Sequence, residues 1–304
     1  MTAAWRIAKL IRREEIDTLI LVDIYRNAMF CGLWGAKLSG RNVRTVLWCS
    51  AVPTGQAGDF TPRIRRYLRR GMLHDIVCVS DWQRNMLKEY DIPAERMHTI
   101  HNGVDIKRFA AASPAFLPGP AEAPAVLQVA NVMPDKDFDT LLSAAALLRE
   151  QGVAFRLFLA GRDTDSPAMR NEIARRNIHE CTFPLGMCDN ISSFLAAAEV
   201  VVLATRSEVF NIAVLEAMAS SRPVVVSDVP GFAEMFDSER EGLKVPPGDP
   251  AALARAMERL LRDMPLRRQL GRAGRQYVEH FSREAMCDAF DAYLKPLEAG
   301  GFGR

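Results

Sequence analysis

Short apolar runs alternate along the chain with longer segments whose apolar residues recur at helical spacing. In the first third, the runs 18–24, 43–49 and 75–80 have the length and continuity of strands that are buried on both faces. The segments 29–40 and 63–73 between them have the pattern of helices. Strands that alternate with helices in this way predict a parallel sheet with helices on both faces.

The same alternation restarts after residues 109–124, a stretch rich in proline and alanine that reads as a linker. The sequence therefore predicts an α/β fold with two Rossmann-like domains, each with a parallel sheet, of which the N-terminal one is shortened. The predicted boundaries place the partial N-terminal domain at 1–108, the second domain at 125–279, and a C-terminal helix and tail at 280–304.

Charge and composition exclude several classes of protein. Lys and Arg number 39 against 37 for Asp and Glu, so the net charge gives no argument for nucleic-acid binding, and no nucleic-acid partner is predicted. The six cysteines form no CxxC pair, which favours free thiols in a reducing cytoplasm over a metal site or disulfides. No apolar run approaches the ~20 residues that span a bilayer, and the start is unlike a signal peptide. The sequence predicts a cytoplasmic protein and leaves peripheral contact with the inner face of the membrane open.

Two glutamates, Glu208 and Glu216, flank the start of a predicted helix that follows the strand-like run 200–205. In open α/β sheets, ligands bind at the carboxyl ends of the strands, where the unpaired amides of a helix N-terminus suit a phosphate. A carboxylate in the apolar stretch around Glu216 is costly unless it is hydrogen-bonded, and a sugar or ribose diol would supply two donors. The spacing alone leaves this hypothesis and an ordinary surface glutamate equally open.

Lys136 falls just before or at the start of the predicted helix 138–151, where a cation opposes the helix dipole. An anionic ligand at this strand end would make the position favourable, and a solvated surface lysine is the alternative. Gly161 ends a strand-like run, where a glycine either lets a ligand approach the backbone or forms an ordinary turn. No GxGxxG or P-loop motif is present, so the sequence supports neither a dinucleotide site nor a P-loop.

Residues 62–73 (PRIRRYLRRGML) hold five arginines beside a stripe of apolar residues. A basic amphipathic helix can lie on an anionic membrane surface, and a solvated helix face is the alternative. The segment supports the hypothesis of peripheral membrane contact and of a lipid-linked acceptor.

Several segments in a fixed order resemble the family 4 glycosyltransferases of the GT-B fold. The stretch 207–231 (SEVFNIAVLEAMASSRPVVVSDVPG) is similar to that family's signature of two glutamates separated by seven residues, with the strand that follows. Residues 101–109 (HNGVDIKRF) resemble its interdomain element, and residues 129–145 (VANVMPDKDFDTLLSAA) resemble its diphosphate-binding strand, loop and helix. The resemblance runs from about residue 75 to 297, and more weakly from residue 5.

The resemblance implies an enzyme that moves a sugar from a nucleoside diphosphate sugar to an acceptor, with retention of the anomeric configuration. UDP is the expected nucleotide, and the expected acceptor is a glycan or a lipid-linked glycan. The family pattern implies neither a metal ion nor a cofactor at the site. The C-terminal helix, within 280–304, is expected to cross back onto the first domain.

The resemblance also implies which residues form the site. Lys136 would neutralise the diphosphate as it leaves and Glu208 would face the donor sugar, so these two are the expected catalytic residues. Glu216 would hold the ribose hydroxyls, and the backbone from Leu185 to Met187 would face the base. The expected donor-binding residues are Asn131, Lys136, Gly161, Leu185, Met187, Glu208, Val209, Phe210, Asn211, Ile212 and Glu216.

The chain departs from the family pattern at Asn131, where Arg is frequent, at Val209, where Gly is usual, and at Ser221, where a Gly usually ends the helix. The resemblance also implies that the chain starts near the fourth strand of a full first domain. No histidine stands within 46–56 to face an acceptor. Two alternatives stay open: a non-catalytic nucleotide-sugar-binding or partner-assembly protein that has lost its first strand units, and a fragment of a longer chain.

Overall fold

The computed structural model divides the chain between His101 and Asn102 into two compact units, here called the first unit and the second unit. The structure describes residues 2–22, 26–50 and 60–295, without the side chain of Arg26. The end of the predicted strand 18–24, most of the stretch 46–56 in which no histidine stands, and the tail after residue 295 lie outside the described residues.

Helices and strands alternate in the first unit, as the apolar pattern predicts. The elements are α1 (Thr2–Arg13), β1 (Thr18–Val22), α2 (Arg26–Ser39), β2 (Arg44–Cys49), α3 (Thr61–Arg69), β3 (Asp75–Cys78), α4 (Asp81–Lys88) and β4 (Met97–Thr99), with a short 3-10 turn at Ala94–Arg96 before β4. The four strands form a parallel sheet in the order β1-β2-β3-β4. The central strands β2 and β3 are almost wholly buried, which explains why their sequences are continuous apolar runs.

The sequence predicts α3 to extend to residue 73, but the helix ends at Arg69. Gly71 has a φ of +59°, a left-handed conformation that ends a helix and that glycine adopts without a steric penalty. Met72 and Leu73 are buried beyond the end of the helix, so their apolar character belongs to the core of the unit and not to the helical stripe.

One ion pair is buried at the start of the sheet in the first unit. Arg44 begins β2 and Asp75 begins the neighbouring β3, and the Arg44 Nε atom lies 2.8 Å from Asp75 Oδ2. The two side chains are only 7% and 9% exposed. Because a charge in the interior is costly without its partner, this pair links the registers of the two strands.

The second unit continues the alternation with a larger sheet. Its elements are α5 (Ile106–Ala110), β5 (Ala125–Val129), α6 (Phe138–Glu150), β6 (Arg156–Ala160), α7 (Pro167–Arg175), β7 (Thr182–Gly186), α8 (Ile191–Ala197), β8 (Val200–Leu203), α9 (Ile212–Ala219), β9 (Val224–Ser227), α10 (Pro230–Ala233), β10 (Leu243–Val245), α11 (Pro250–Arg262), α12 (Met264–Tyr277) and α13 (Arg283–Leu294), with a 3-10 turn at Val278–Phe281. The six strands are parallel and lie in the order β10-β9-β8-β5-β6-β7.

This strand order reverses between β5 and β8, which is the topological switch point of a doubly wound sheet. The ladder between the two strands contains only the pairs Val126–Val200 and Leu127–Val201. Beyond these two pairs, the side chain of the fully buried Gln128 takes the place of a backbone partner. Its Oε1 atom accepts a hydrogen bond of 3.1 Å from the Ala204 amide. The strands therefore separate at their carboxyl ends and open a crevice there.

The predicted linker, residues 109–124, is an integral part of the second unit. Phe109 belongs to α5, which the sequence did not predict as a helix, and it is buried because α5 packs against α8 and α9. Residues 111–124 contain no helix or strand, but the guanidinium group of the buried Arg156 donates to the carbonyls of Leu117, Pro118 and Ala123 at 2.9–3.1 Å. The first unit ends at His101, whereas the sequence places the boundary after residue 108.

The turn that precedes α5 pairs with the start of α13 inside the second unit. The Val104 amide donates to the Phe281 carbonyl and the Arg283 amide donates to the Val104 carbonyl, both at 2.9 Å. A Cβ atom on Gly103 would lie 2.7 Å from the Ser282 carbonyl oxygen, so only glycine fits here.

Among the described helices, none is both long enough and apolar enough to cross a membrane.

The buried ion pair of the first unit predicts a difference between two aspartate variants. Asp75→Ala leaves the buried Arg44 guanidinium without its carboxylate, so we expect it to lower the free energy of unfolding by about 3–5 kcal/mol. Asp91→Asn removes the charge of the exposed partner of Arg65, which lies 3.2 Å away, and asparagine tolerates the positive φ of this position, so we expect a loss below about 1 kcal/mol. Urea unfolding of both variants checks this, and equal losses would contradict a structural role for the buried pair.

Candidate functional site

Two loops meet at the crevice between β5 and β8. The loop after β5 carries Lys136, and the loop after β8 carries Glu208. Lys136 and Thr205 form an antiparallel bridge, the Asp137 amide donates to the Ala204 carbonyl at 3.0 Å, and the Thr205 hydroxyl donates to the Asp135 carbonyl at 2.8 Å. Backbone hydrogen bonds thus hold the two loops together, and they bring the two predicted catalytic side chains into contact.

Lys136 lies between two carboxylates. Its Nζ atom is 2.6 Å from Glu208 Oε2 and 3.1 Å from Asp135 Oδ2. The Lys136 and Glu208 side chains are only 14% and 13% exposed. Burial by itself would lower the pKa of Lys136, but the attraction and hydrogen bonds of Glu208 and Asp135 outweigh it and raise the pKa above its ordinary value. Lys136 is therefore a fixed cation at neutral pH.

Asn211 connects this cluster to the start of α9. Its Nδ2 atom donates to Glu208 Oε2 at 2.8 Å, and its Oδ1 atom accepts from the Val214 amide at 3.1 Å, which caps the helix. The amides in the first turn of a helix lack acceptors within the helix and attract anions. The cluster of Lys136, Glu208 and Asn211 therefore lies beside a helix N-terminus, a position that suits an anion.

Glu216 lies further along α9 and is partly buried in an apolar setting. Burial raises the pKa of its carboxyl group to about 7, and the opposing effect of Arg108 on α5 is smaller. None of the residues that the structure describes donates a hydrogen bond to this carboxylate. A partly buried carboxylate without donors is unfavourable, and a ligand with two hydroxyl groups would satisfy it.

A second depression lies on the other side of β5, at the carboxyl ends of β5, β6 and β7. It has a volume of about 320 Å³, and three of the predicted donor-binding residues, Asn131, Gly161 and Met187, line it together with Cys188 and Ile191. Met187 is 69% exposed. Leu185, in β7, is half-buried and is not among the lining residues.

The geometry of Gly161 shows a requirement that the protein itself places on this glycine. Its φ is +139°, and a Cβ atom would lie 2.2 Å from the Ala130 carbonyl oxygen. The loop that follows β5 therefore already occupies the space beside Gly161, so the glycine is required by the packing of two loops of the protein. The Oδ1 atom of Asn131 accepts from the Arg162 amide at 2.9 Å, which connects the same two loops.

The remaining predicted residues differ in what they can offer to a ligand. Val209 and Phe210 are 4% and 5% exposed, so their side chains belong to the core and only their backbone can face a ligand. Asn102 donates from Nδ2 to the Phe210 carbonyl at 3.4 Å, and the Phe210 ring packs edge to face on Phe281 at 5.3 Å. Ile212 is 47% exposed.

Sequence reasoning missed three residues that build the site. Asp135 is the second carboxylate on Lys136, and its position next to that lysine was the available signal. Asp137 caps α6, and although burial opposes it, hydrogen bonds from Arg206 and Thr140 hold its pKa below the ordinary value. Gln128, a single polar residue in an apolar run, separates the two strands.

Comparison with known families gives two matches. Residues 112–277 match a family model described as "Glycosyl transferases group 1", and residues 1–108 match one described as "Glycosyltransferase Family 4". The first match contains every residue of the clusters described above except Asn102, Arg108 and Phe281.

Curated proteins of similar sequence carry related descriptions. The lipopolysaccharide core biosynthesis glycosyltransferase LpsE of Rhizobium meliloti is 31% identical over 250 residues, which are 79% of this chain and 68% of that protein. A D-inositol 3-phosphate glycosyltransferase of Saccharomonospora viridis is 29% identical over 231 residues, which are 70% of this chain. The match spans only 53% of the length of the Saccharomonospora protein.

Solved structures of similar fold share little sequence with this chain. Anabaena Alr3699/HepE, in a complex with UDP-glucose, superposes with a TM-score of 0.82 at 16% identity and covers 97% of this chain and 82% of its own. Sucrose-phosphate synthase of Thermosynechococcus elongatus gives a TM-score of 0.82 at 23% identity, over 97% of this chain and 77% of its own. At these identities the likeness concerns the fold.

The raised pKa of Glu216 predicts a pH-dependent stability. The folded-state pKa of about 7 exceeds the ordinary value of 4.5, so the folded protein holds this proton more tightly than the unfolded chain does. Stability from this group is therefore lost as the pH rises from about 4.5 to about 7. Glu216→Gln removes the effect. We therefore expect the free energy of unfolding of the variant, relative to that of the unmodified protein, to rise by on the order of 2–3 kcal/mol from pH 5 to pH 8.

Urea unfolding at pH 5, 6, 7 and 8 measures this trend. Glu150→Gln, which changes an exposed glutamate at the end of α6, is the matched control and should show no trend. A Glu216→Gln difference that is independent of pH would contradict the burial of an unpaired carboxylate.

Proposed function

Because the chain belongs to the family of group 1 glycosyl transferases, we propose that it transfers a sugar from a nucleoside diphosphate sugar to an acceptor, with retention of the anomeric configuration. The predicted family is confirmed, and so is the predicted α/β fold of GT-B type with two parallel sheets. The donor, the stereochemical outcome and the roles of individual residues form the proposal.

The observation that carries the proposal is the partly buried Lys136–Glu208 pair at the switch point of the sheet. A diphosphate placed in the crevice would lie beside the Lys136 ammonium group and the first-turn amides of α9. As the bond between the sugar and the diphosphate breaks, negative charge grows on the leaving oxygen, and Lys136 stabilises that charge without reorganisation of solvent. This supports the catalytic role predicted for Lys136.

Glu208 offers hydrogen-bond acceptors beside the proposed position of the diphosphate. An ionised carboxylate only accepts hydrogen bonds, so it suits the hydroxyl groups of a donor sugar. The hydrogen bond from Asn211 orients Glu208 and leaves room at its second oxygen. Since Lys136 is now shared by Glu208 and Asp135, the bound diphosphate would compete with both carboxylates for the cation. The expected result is a weaker Lys136–Glu208 contact and a Glu208 that is released toward the sugar.

Glu216 is proposed to hold the ribose. Two hydroxyl groups that donate to its carboxylate would favour the charged form, and this would lower a pKa that burial has raised to about 7. Binding of the nucleotide near neutral pH would then release a proton from Glu216. The 320 Å³ depression lined by Asn131, Gly161 and Met187 is the proposed position of the base, with UDP as the expected nucleotide.

Other expectations stay predictions. These are a glycan or lipid-linked glycan as acceptor, the lack of any need for a metal ion or cofactor, a cytoplasmic location, and peripheral membrane contact through residues 62–73.

Calorimetric titration of the full chain with UDP, GDP and ADP tests the proposal. We expect UDP to bind. Lys136→Ala should lower the affinity for UDP roughly tenfold or more and leave the affinity for uridine unchanged, because only UDP carries the diphosphate. Glu216→Ala should lower the affinity for both UDP and uridine, since both contain the ribose. Lys88→Ala, which removes an exposed lysine of the first unit, is the matched control.

A folded sample that binds none of the three nucleotides would contradict the proposal. Release of UDP from a UDP-sugar in the presence of acceptor then separates a transferase from a protein that only binds the donor.

A further inference from the structure

The first unit contains a groove between α2 and α3 that takes no part in the proposed donor site. It has a volume of about 470 Å³, within the range of small-molecule sites. Phe30 and Trp34 of α2 line one side. Arg63, Arg66 and Tyr67 of α3, and Arg70 immediately after that helix, line the other.

The three arginines lie on one side of α3 because their spacing of three and four residues repeats with the helical turn. None of them forms an ion pair with a carboxylate among the residues that the structure describes. Arg63 only lies over the ring of Phe60, at 5.5 Å. By contrast Arg65, which is on the same helix but outside the groove, pairs with Asp91 at 3.2 Å.

Three guanidinium groups around one concave surface repel one another unless an anion lies between them. Asn27, Met29 and the aromatic residues complete the described lining, and none of these side chains is negatively charged. A guanidinium group matches the geometry of phosphate, to which it can donate two parallel hydrogen bonds. The charge pattern therefore fits a phosphate group.

The opposite wall of the groove is aromatic. Phe30 is 43% exposed, and its ring lies 6.0 Å from the ring of Trp34 at an angle of 47°. An exposed and a partly buried aromatic ring next to a cationic wall suit a ligand with an apolar part adjacent to its anionic group.

We propose that the α2–α3 groove binds an amphiphilic phosphate ester, with the phosphate on Arg63, Arg66 and Arg70 and the apolar part against Phe30 and Trp34. This site lies within the first unit and is independent of the proposed donor site. Its occupant is a single molecule held in a groove, which distinguishes it from adsorption of a basic helix to a charged membrane surface.

Titration of the full chain with octyl phosphate below its micellar concentration tests the proposal, with calorimetry for affinity. The double variant Arg63→Gln/Arg66→Gln should weaken binding roughly tenfold or more. The double variant Arg65→Gln/Arg69→Gln removes the same charge from the same helix outside the groove, and it should change the affinity less than about twofold, since long-range interactions are screened by salt. Circular dichroism verifies that both variants are folded.

Two further ligands separate the contributions to binding. Inorganic pyrophosphate lacks the apolar part, and octyl glucoside lacks the phosphate, so both should bind much more weakly than octyl phosphate. Trp34 gives a local signal, because the change in tryptophan fluorescence on binding should be lost in Trp34→Phe while the calorimetric affinity remains within a few-fold.

Three outcomes would overturn the proposal. These are no binding of octyl phosphate, equal weakening in the two double variants, and binding to anionic phospholipid vesicles without binding of monomeric octyl phosphate. The last result would make the arginines a membrane-facing patch.

Discussion

The separation of β5 from β8 is the constraint on which the proposed site depends. Parallel strands normally continue their ladder to the ends, but here the ladder stops after Leu127 and Val201, and the Gln128 side chain satisfies the Ala204 amide in its place. The loops that follow can then turn toward each other and pair across the opening. Lys136 and Glu208 meet because hydrogen bonds between the two loop backbones place their side chains within reach of each other.

The two units contain buried or partly buried ionisable groups that are neutralised to different degrees. In the first unit, Arg44 and Asp75 neutralise each other between adjacent strands, as expected of a pair with a structural role. In the second unit, Lys136 is shared by two carboxylates, and Glu216 has no hydrogen-bond donor among the residues that the structure describes. The second arrangement has unused acceptors and one cation beside a helix N-terminus. A nucleoside diphosphate sugar, with hydroxyl donors at both ends of an anionic bridge, would complement it.

Much of the fold could be predicted from the sequence, because strands buried on both faces leave continuous apolar runs such as the one that became β8. The errors occur where tertiary packing decides. Phe109 reads as linker but is buried in α5, and α3 stops early because of a single left-handed glycine, Gly71. Lys136, Glu208 and Asn211 were predicted as site residues through motifs, and the structure brings them together. The hydrogen bonds that Thr205 and Ala204 donate to the Asp135 carbonyl and to the Gln128 side chain could not be predicted, since they depend on how two distant segments pair.

Hydrogen exchange of the full chain with and without saturating UDP, measured by mass spectrometry, tests most directly whether the crevice at the switch point is the donor site. The account predicts slower exchange in the loop 130–137 and in residues 208–216, and unchanged exchange in α11, with the protection weakened in Glu216→Ala. Unchanged exchange in both segments at a UDP concentration that saturates binding would contradict it, since the nucleotide would then occupy another part of the protein.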